Sequence, residues 1–194
     1  MATKKRKPTR KTPARKPPIR KLSSRTQPQQ QSRIQSLSPC LTFQGEAEQA
    51  ARYYVSIFKR SKMGPILRYP AAGREIHGQP EGTVLTAEFT LDGIDFVALN
   101  GPPFKFSEAI SFQVFCRDQA EVDYYWEKLG AGGDPKAQQC GWLKDKFGVS
   151  WQVVPEVMMK FLKSKGPGME RAFMAMMPMK KLDIATLDRA FKGK

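Results

Sequence analysis

The stretch TVLTAEFTLDGIDFVALN, residues 83–100, decides the fold of this chain. Two runs that alternate apolar and polar side chains flank the dipeptide Asp92-Gly93, which is a strong signal for a tight hairpin turn. Alternation with a period of two places one face of each strand against a core. The stretch therefore predicts an antiparallel pair of strands with one buried face.

The residues before this hairpin predict a strand, a helix and a second strand. PCLTF (39–43) is a short apolar run that is typical of a strand. In EAEQAARYYVSIF (46–58) the apolar side chains recur at helical spacing, which predicts an amphipathic helix. ILRYP (66–70) predicts a strand, and AAGREIHGQPEG (71–82) predicts a polar loop. The first half therefore follows the order β-α-β-β-β.

The same order begins again after the hairpin. ISFQVFC (110–116) predicts a strand, and Asp118 with Glu121 forms a D-x-x-E start to a helix. CGWLKDKFGVSWQVVP (140–155) predicts a second hairpin. The second half is thus β-α-β-β, with room for one more short strand, and the two halves form a weak internal repeat. This pattern predicts an α+β domain.

The end of the chain predicts a helical extension. Residues 156–191 contain two or three short helical segments, broken at Gly166-Pro167 and Pro178. Seven of the nine methionines fall between Met158 and Met179, which favours a packed helix layer or subunit interface over a cofactor site. We therefore expect a basic tail (1–37), a paired-module domain (38–155) and a C-terminal helical extension (156–194).

The first 37 residues are strongly basic. They carry twelve of the 33 Lys and Arg residues and none of the 18 Asp and Glu residues, so the rest contributes only +3 of the net +15. Closely spaced prolines and few apolar residues predict a disordered tail. Such a polycation binds DNA, RNA or another polyanion without reading sequence; a solvated tail without a specific partner is the alternative. The candidate polyanion-binding residues are Lys4, Lys5, Arg6, Lys7, Arg10, Lys11, Arg15, Lys16, Arg20 and Lys21.

Composition also predicts where the protein works. Three cysteines without a CxxC pair argue against a disulfide framework and favour a reducing compartment. No run approaches the roughly 18 apolar residues of a membrane span, and no apolar segment follows the basic start as in a secretory signal. We expect a soluble protein without a membrane partner, cytoplasmic or nucleoid-associated, or nuclear in a eukaryote.

The repeated order and several long segments resemble the vicinal oxygen chelate superfamily, which includes glyoxalases and bleomycin-resistance proteins. The similarity is closer to its PhnB-like branch, often labelled 3-demethylubiquinone-9 3-methyltransferase-like. It implies two βαβββ modules that form a curved mixed sheet, or half-barrel, around a cavity, commonly in a homodimer. The segments are LTFQGEAEQAARYYVSIF (41–58), EFTLDGIDFVALNG (88–101), FKFSEAISFQV (104–114), EVDYYWEKL (121–129), CGWLKDKFGVSWQVVP (140–155) and MKKLDIATLDRAF (179–191).

The resemblance also implies where a metal would bind. Metalloenzymes of the superfamily use His on the first strand and Glu on the last strand of each module. Here these positions fall on Pro39 and near Ala98 in the first module, and on Ser111 and Gln152 in the second. A neutral amide replaces a carboxylate poorly, and Pro and Ala offer no side-chain ligand. We therefore expect no glyoxalase-type metal site and no cofactor, and we expect the single histidine, His77, to be an exposed loop residue.

Strand alternation suggests which side chains face the cavity instead. Aromatic walls with a few amides and hydroxyls suit a small organic molecule, although the same residues would also fill a closed barrel interior. Lys105 and Asp145 are expected to fix loops rather than perform chemistry. The predicted pocket residues are Phe43, Phe96, Asn100, Ser111, Gln113, Ser150 and Gln152.

Three functions remain open at this point. The first is a metal-free small-molecule-binding or scaffold domain, which the resemblance implies is a homodimer and which its tail tethers to nucleic acid or another polyanion. The second is an enzyme of the isomerase or lyase type acting on a small oxygenated substrate, with no catalytic residue assigned. The third is an architectural nucleic-acid-associated dimer. Methyl transfer is poorly supported, because the chain lacks a strand followed by a Gly-rich loop and an acidic residue for S-adenosylmethionine.

Overall fold

A computed structural model of the chain describes residues 37–194, which belong to one compact unit. The α+β class is confirmed, with two open mixed sheets followed by three helices. The basic residues predicted to bind polyanions lie outside the described residues. The elements are β1 (Cys40–Phe43), α1 (Ala47–Ile57), β2 (Lys62–Arg68), α2 (Arg74–His77), β3 (Val84–Leu91), β4 (Ile94–Asn100), β5 (Phe112–Cys116), α3 (Gln119–Gly130), a 3-10 turn (Pro135–Ala137), β6 (Trp142–Lys144), β7 (Ser150–Pro155), α4 (Glu156–Lys163), α5 (Pro167–Met176) and α6 (Ile184–Lys192).

The first sheet contains the predicted hairpin. Its strand order is β1-β4-β3-β2, in which β1 runs parallel to β4 and the other pairs are antiparallel. The turn between β3 and β4 places Asp92 at φ 48° and Gly93 at φ 86°. Two successive residues at positive φ match the twist of a two-residue hairpin, and Asn, Asp and Gly accept that geometry most readily. The Asp92-Gly93 turn therefore fixes the register of β3 against β4.

The second sheet is shorter. Its order is β5-β7-β6, with β5 parallel to β7 and β6 antiparallel to β7. Before β6 the chain forms the 3-10 turn, and Gln139 makes a single antiparallel bridge to Trp142. The described second sheet therefore has three strands where the first has four.

Two local details differ from the sequence prediction. Strand β2 begins at Lys62 rather than residue 66, because a register shift between Met63 and Ile66 accommodates Pro65, which has no N–H to donate. The polar loop contains the four-residue helix α2 between two glycines with positive φ. The early start of β2 and the short helix α2 have no apolar periodicity in the sequence that would predict them.

Helix α1 packs its apolar face against the main hydrophobic core. Its apolar stripe is buried as predicted, and the cluster that it joins includes side chains from both sheets. Tyr54, which is fully buried, stacks near Phe89 of β3 and lies 5.4 Å from the ring centroid of Trp151 in β7. One hydrophobic core therefore serves both halves.

The three C-terminal helices build a smaller core of their own. Met158, Phe161, Ala172, Leu182 and Leu187 are buried together. The rings of Phe161 and Phe191 stack at 4.4 Å between centroids. Met158, Met176 and Met179 thus pack into this core, as adaptable filler would, whereas Met159, Met174 and Met177 are exposed. Among the helices of residues 37–194, none has the length and hydropathy needed to cross a membrane.

Candidate functional site

A groove of about 930 Å³ lies beside the second sheet. The β3–β4 hairpin, strands β5 and β7, and helix α3 contribute its walls. We refer to it as the groove. Its volume lies within the range of small-molecule sites, which is roughly 300–1,000 Å³.

The pairing of β5 with β7 places the polar side chains of the groove on one face of the second sheet. The strands are parallel, and Gln113 lies opposite Gln152 in the register. Alternation along β5 exposes Gln113 and Phe115 while Val114 and Cys116 are buried. Two amide side chains from neighbouring strands therefore emerge side by side on one face.

These amides form a directional hydrogen-bond chain. Nε2 of Gln113 donates to Oε1 of Gln152 at 3.2 Å, and Nε2 of Gln152 donates to Oγ of Ser111 at 2.8 Å. Because Ser111 accepts from Gln152, its own O–H is available as a donor. The carbonyl oxygen of Gln113 is available as an acceptor. The groove therefore presents a donor, the O–H of Ser111, at one end of these hydrogen bonds and an acceptor, the carbonyl oxygen of Gln113, at the other. We call Ser111, Gln113 and Gln152 the amide array.

Aromatic rings form the apolar wall beside the amide array. The ring centroid of Phe112 lies 5.3 Å from that of Phe96 and 5.4 Å from that of Trp151. The ring centroid of Phe58 lies 5.4 Å from that of Trp151 and 5.2 Å from that of Tyr125. These spacings fall within the usual range for favourable aromatic pairs. The wall is thus a connected aromatic surface that neighbouring rings hold in place.

The charges on the rim of the groove are largely paired. Arg60 donates to the carboxylate of Asp92, and Arg117 donates to that of Glu121. The side-chain and backbone hydrogen bonds from Arg117 lower the pKa of Glu121 to about 2. These pairs leave the rim close to electrically neutral, although Lys59 and Glu156 also line it.

The structure brings together four of the seven predicted pocket residues. Phe96, Ser111, Gln113 and Gln152 all line the groove. Phe43 is 3% exposed and lines a different cavity.

Asn100 and Ser150 line neither cavity. Asn100 is buried, and its Oδ1 accepts from the backbone N–H groups of Gly45 at 2.9 Å and Ala47 at 3.0 Å. Its Nδ2 donates to the carbonyl of Val84 at 3.0 Å. The side chain therefore holds the start of α1 against the first sheet. Ser150 is buried, and its Oγ has no hydrogen-bond partner within the described part of the chain.

Asp145 fixes a loop, as the sequence analysis expected. It is 2% exposed, and its carboxylate accepts from the side chains of Tyr54 and Trp151, both at 2.8 Å. The backbone N–H groups of Phe147 and Val149 donate to its other oxygen at 2.9 and 3.0 Å. Burial raises the pKa of Asp145, although these four hydrogen bonds oppose the rise. Sequence spacing alone does not show the link to Tyr54. Lys105, by contrast, makes no ion pair or side-chain hydrogen bond among residues 37–194.

The residues at the superfamily's metal positions do not fit a divalent ion. Ala98 is fully buried and, like Pro39, has no side-chain donor. Ser111 and Gln152 are neutral and bind each other. Across residues 37–194, no cluster of three or more His, Cys, Asp or Glu side chains is placed to hold a metal. His77 is half-buried rather than exposed, with its ring 4.6 Å from that of Tyr69, and it lines neither cavity.

The chain belongs to the PhnB-like branch of the vicinal oxygen chelate superfamily, as the family comparison shows. A family profile described as 3-demethylubiquinone-9 3-methyltransferase matches residues 35–154, and the chain belongs to this family. The resemblance that the sequence suggested is therefore confirmed. No match was found among curated proteins.

Three solved structures are similar to this chain to different degrees. A PhnB protein from Bacillus cereus is 36% identical, with a TM-score of 0.53, over 62% of this chain and 99% of that one. Protein PA1353 from Pseudomonas aeruginosa is 19% identical, with a TM-score of 0.49, over 62% and 96% of the two chains. The fosfomycin resistance protein FosX from Listeria monocytogenes is 16% identical, with a TM-score of 0.41, over 63% and 94%.

Proposed function

We propose that the groove binds a small, uncharged organic molecule without a metal ion, and that this binding is the function of the PhnB-like domain. The observation that carries the proposal is the amide array, which lies against an aromatic wall. A flat ligand with a hydrogen-bond acceptor or donor, such as an amide or lactam, complements one end of the array. Its ring would stack on the aromatic wall.

The electrostatics of the groove support an uncharged ligand. The polar groups of the array, Ser111, Gln113 and Gln152, carry no charge. The carboxylates of Asp92 and Glu121 are each satisfied by an arginine. A charged ligand group brought against the array would lose hydration without meeting an opposite charge there.

Binding of matched probes by the intact protein tests this proposal. The probes are benzamide, benzoate and benzylamine, which differ in the polar group on one ring, and ligand-observed NMR reports their affinities. We expect benzamide to bind most tightly, and Gln152→Ala to weaken it about tenfold, because Gln152 holds Ser111 and Gln113 in the array. Gln79→Ala, an exposed glutamine outside the groove, is the matched control. Equal affinity for the three probes, or no effect of Gln152→Ala, would contradict the proposal.

We also propose that the protein acts as a homodimer. Phe115 and Ile94 line the groove and are 47% and 54% exposed, which supports a partner surface over this region. Light scattering of the purified protein tests the proposal. A mass of two chains at micromolar concentration supports the proposal. A single-chain mass at concentrations up to about 100 μM, well above the dissociation constant of an ordinary stable dimer, contradicts it.

The basic tail is proposed to tether the domain to nucleic acid or another polyanion. Twelve basic residues without an acid in residues 1–37 support this role. The test is the salt dependence of binding to a random DNA duplex and to an RNA duplex. We expect log K to fall steeply with log salt, and deletion of residues 1–37 to abolish binding. In a dimer two tails would bind together with added avidity. Binding that survives the deletion would contradict the proposal.

A further inference from the structure

A second cavity, of about 560 Å³, lies away from the groove. It is bounded by the junction of β1 and α1, by the connection from β4 to β5, and by the turn between β6 and β7. None of its lining residues also lines the groove. We call it the Phe106 cavity, after the ring on its central wall.

Four phenylalanines make its walls. Phe43 is nearly fully buried, and its ring centroid lies 5.3 Å from that of Phe106 and 6.1 Å from that of Phe147. Phe104 is 66% exposed at the cavity. A large exposed ring beside three packed rings offers the surface on which another aromatic ring stacks. The cavity therefore has aromatic rings in its walls against which a ligand ring packs, within a lining whose exposed surface is more polar than apolar.

The cavity also carries charges of both signs. Lys144 is already neutralised, because its Nζ lies 2.5 Å from Oε1 of Glu108. Lys105 and Glu46 also line the cavity, and neither side chain makes an ion pair or hydrogen bond with any of residues 37–194. Glu46 precedes α1 without capping it through its side chain. Lys105 and Glu46 thus give the cavity one positive and one negative charge that are not paired with any of residues 37–194.

We infer that the Phe106 cavity binds a zwitterion with an aromatic side chain, that is, an aromatic α-amino acid. The ring would pack among the phenylalanines, the carboxylate would face Lys105 and the ammonium group would face Glu46. A ligand with only one charge would leave Glu46 or Lys105 opposite a neutral group. The inference is independent of what the groove binds.

Isothermal titration of the intact protein with three probes tests this inference. L-phenylalanine carries both charges, 3-phenylpropionate lacks the ammonium group and 2-phenylethylamine lacks the carboxylate. We expect L-phenylalanine to bind with a Kd on the order of 1 mM, as small ligands of this size often do. Each singly charged probe should bind about three- to fivefold more weakly, because each exposed ion pair contributes modestly.

Variants locate the site. Lys105→Met and Glu46→Gln change exposed side chains and should keep the fold, and each should weaken L-phenylalanine about three- to fivefold. Phe104→Ala should also weaken binding. Lys136→Met and Glu81→Gln make the same charge changes elsewhere and should have no effect, as should Gln152→Ala in the groove. Equal binding of the three probes, or binding unchanged by Lys105→Met and Glu46→Gln, would overturn the inference.

Discussion

The phenol of Tyr54 donates a 2.8 Å hydrogen bond to Oδ2 of Asp145, and 91 residues separate the two along the chain. Tyr54 belongs to α1, which packs on the first sheet, and Asp145 begins the turn that leads into β7 of the second sheet. Trp151 donates to the same oxygen at 2.8 Å. One buried carboxylate therefore ties the two halves of the domain together and also orients a ring of the groove.

Asp145→Asn is expected to destabilise the protein by about 2–4 kcal/mol. Four donors converge on this carboxylate, and an amide presents an N–H to some of them, which leaves buried donors without acceptors. Urea unfolding at neutral pH measures the change. Glu81→Gln, an exposed substitution without a described ion pair, should stay within about 0.5 kcal/mol of wild type. A loss below that limit for Asp145→Asn would contradict the role given to the carboxylate.

Asn100→Ala is expected to reduce the free energy of unfolding by about 2–3 kcal/mol, because two N–H groups at the start of α1 and the carbonyl of Val84 lose their partner. Gln113→Ala, on an exposed amide of the groove, should leave stability within about 0.5 kcal/mol. The two variants separate a structural amide from a binding amide. Thermal unfolding of both proteins provides the comparison, and equal losses would show that the division is wrong.

Glu121 should make the protein sensitive to acid. Its pKa is held near 2 in the folded protein, below the ordinary value of 4.5, so its contribution is present above pH 4.5 and is lost as pH falls towards 2. The difference in stability between wild type and Glu121→Gln should therefore shrink across this window. Urea unfolding at a series of pH values measures it, and a difference that grows as the pH falls would contradict the assignment.

Leu187→Ala should destabilise the C-terminal helices by about 2–4 kcal/mol, because Leu187 is fully buried in their core and its removal leaves a cavity. Met174→Ala, at a residue that is 67% exposed, is the matched control and should change stability little. Proteolysis followed by mass spectrometry reports local opening of residues 156–194. Equal resistance of Leu187→Ala and wild type would contradict a cooperative C-terminal core.

The elements that the sequence predicted correctly are those with local signals. Asp92-Gly93 defines a hairpin within a few residues, and the D-x-x-E start of α3 is present, with the N–H of Glu121 donating to Asp118 at 2.9 Å. The partners of Asn100 were not predictable in this way. Its hydrogen bonds to Gly45 and Ala47 span more than 50 residues and exist only once β1 pairs with β4.

The candidate site was predicted in part for the same reason. Gln113 and Gln152 lie opposite each other on adjacent strands, and Ser111 directly precedes β5, so alternation placed the three on one face. Ser150 precedes Gln152 by two residues on β7, yet it is buried and does not line the groove, so alternation alone does not predict which residues of a strand are exposed. The Phe106 cavity gathers residues from three separate connections, and no single stretch of sequence contains a pattern for it.

The central claim is that the groove works without a metal, and metal content tests it most directly. The full-length protein would be purified without a tag after growth with trace metals, and mass spectrometry would count Ni, Zn, Mn, Fe and Co per chain. We expect well below one equivalent of each metal, with the same result for Gln152→Ala. A metal near one equivalent per chain, lost in Gln152→Ala, would contradict the claim and favour a metal-dependent enzyme.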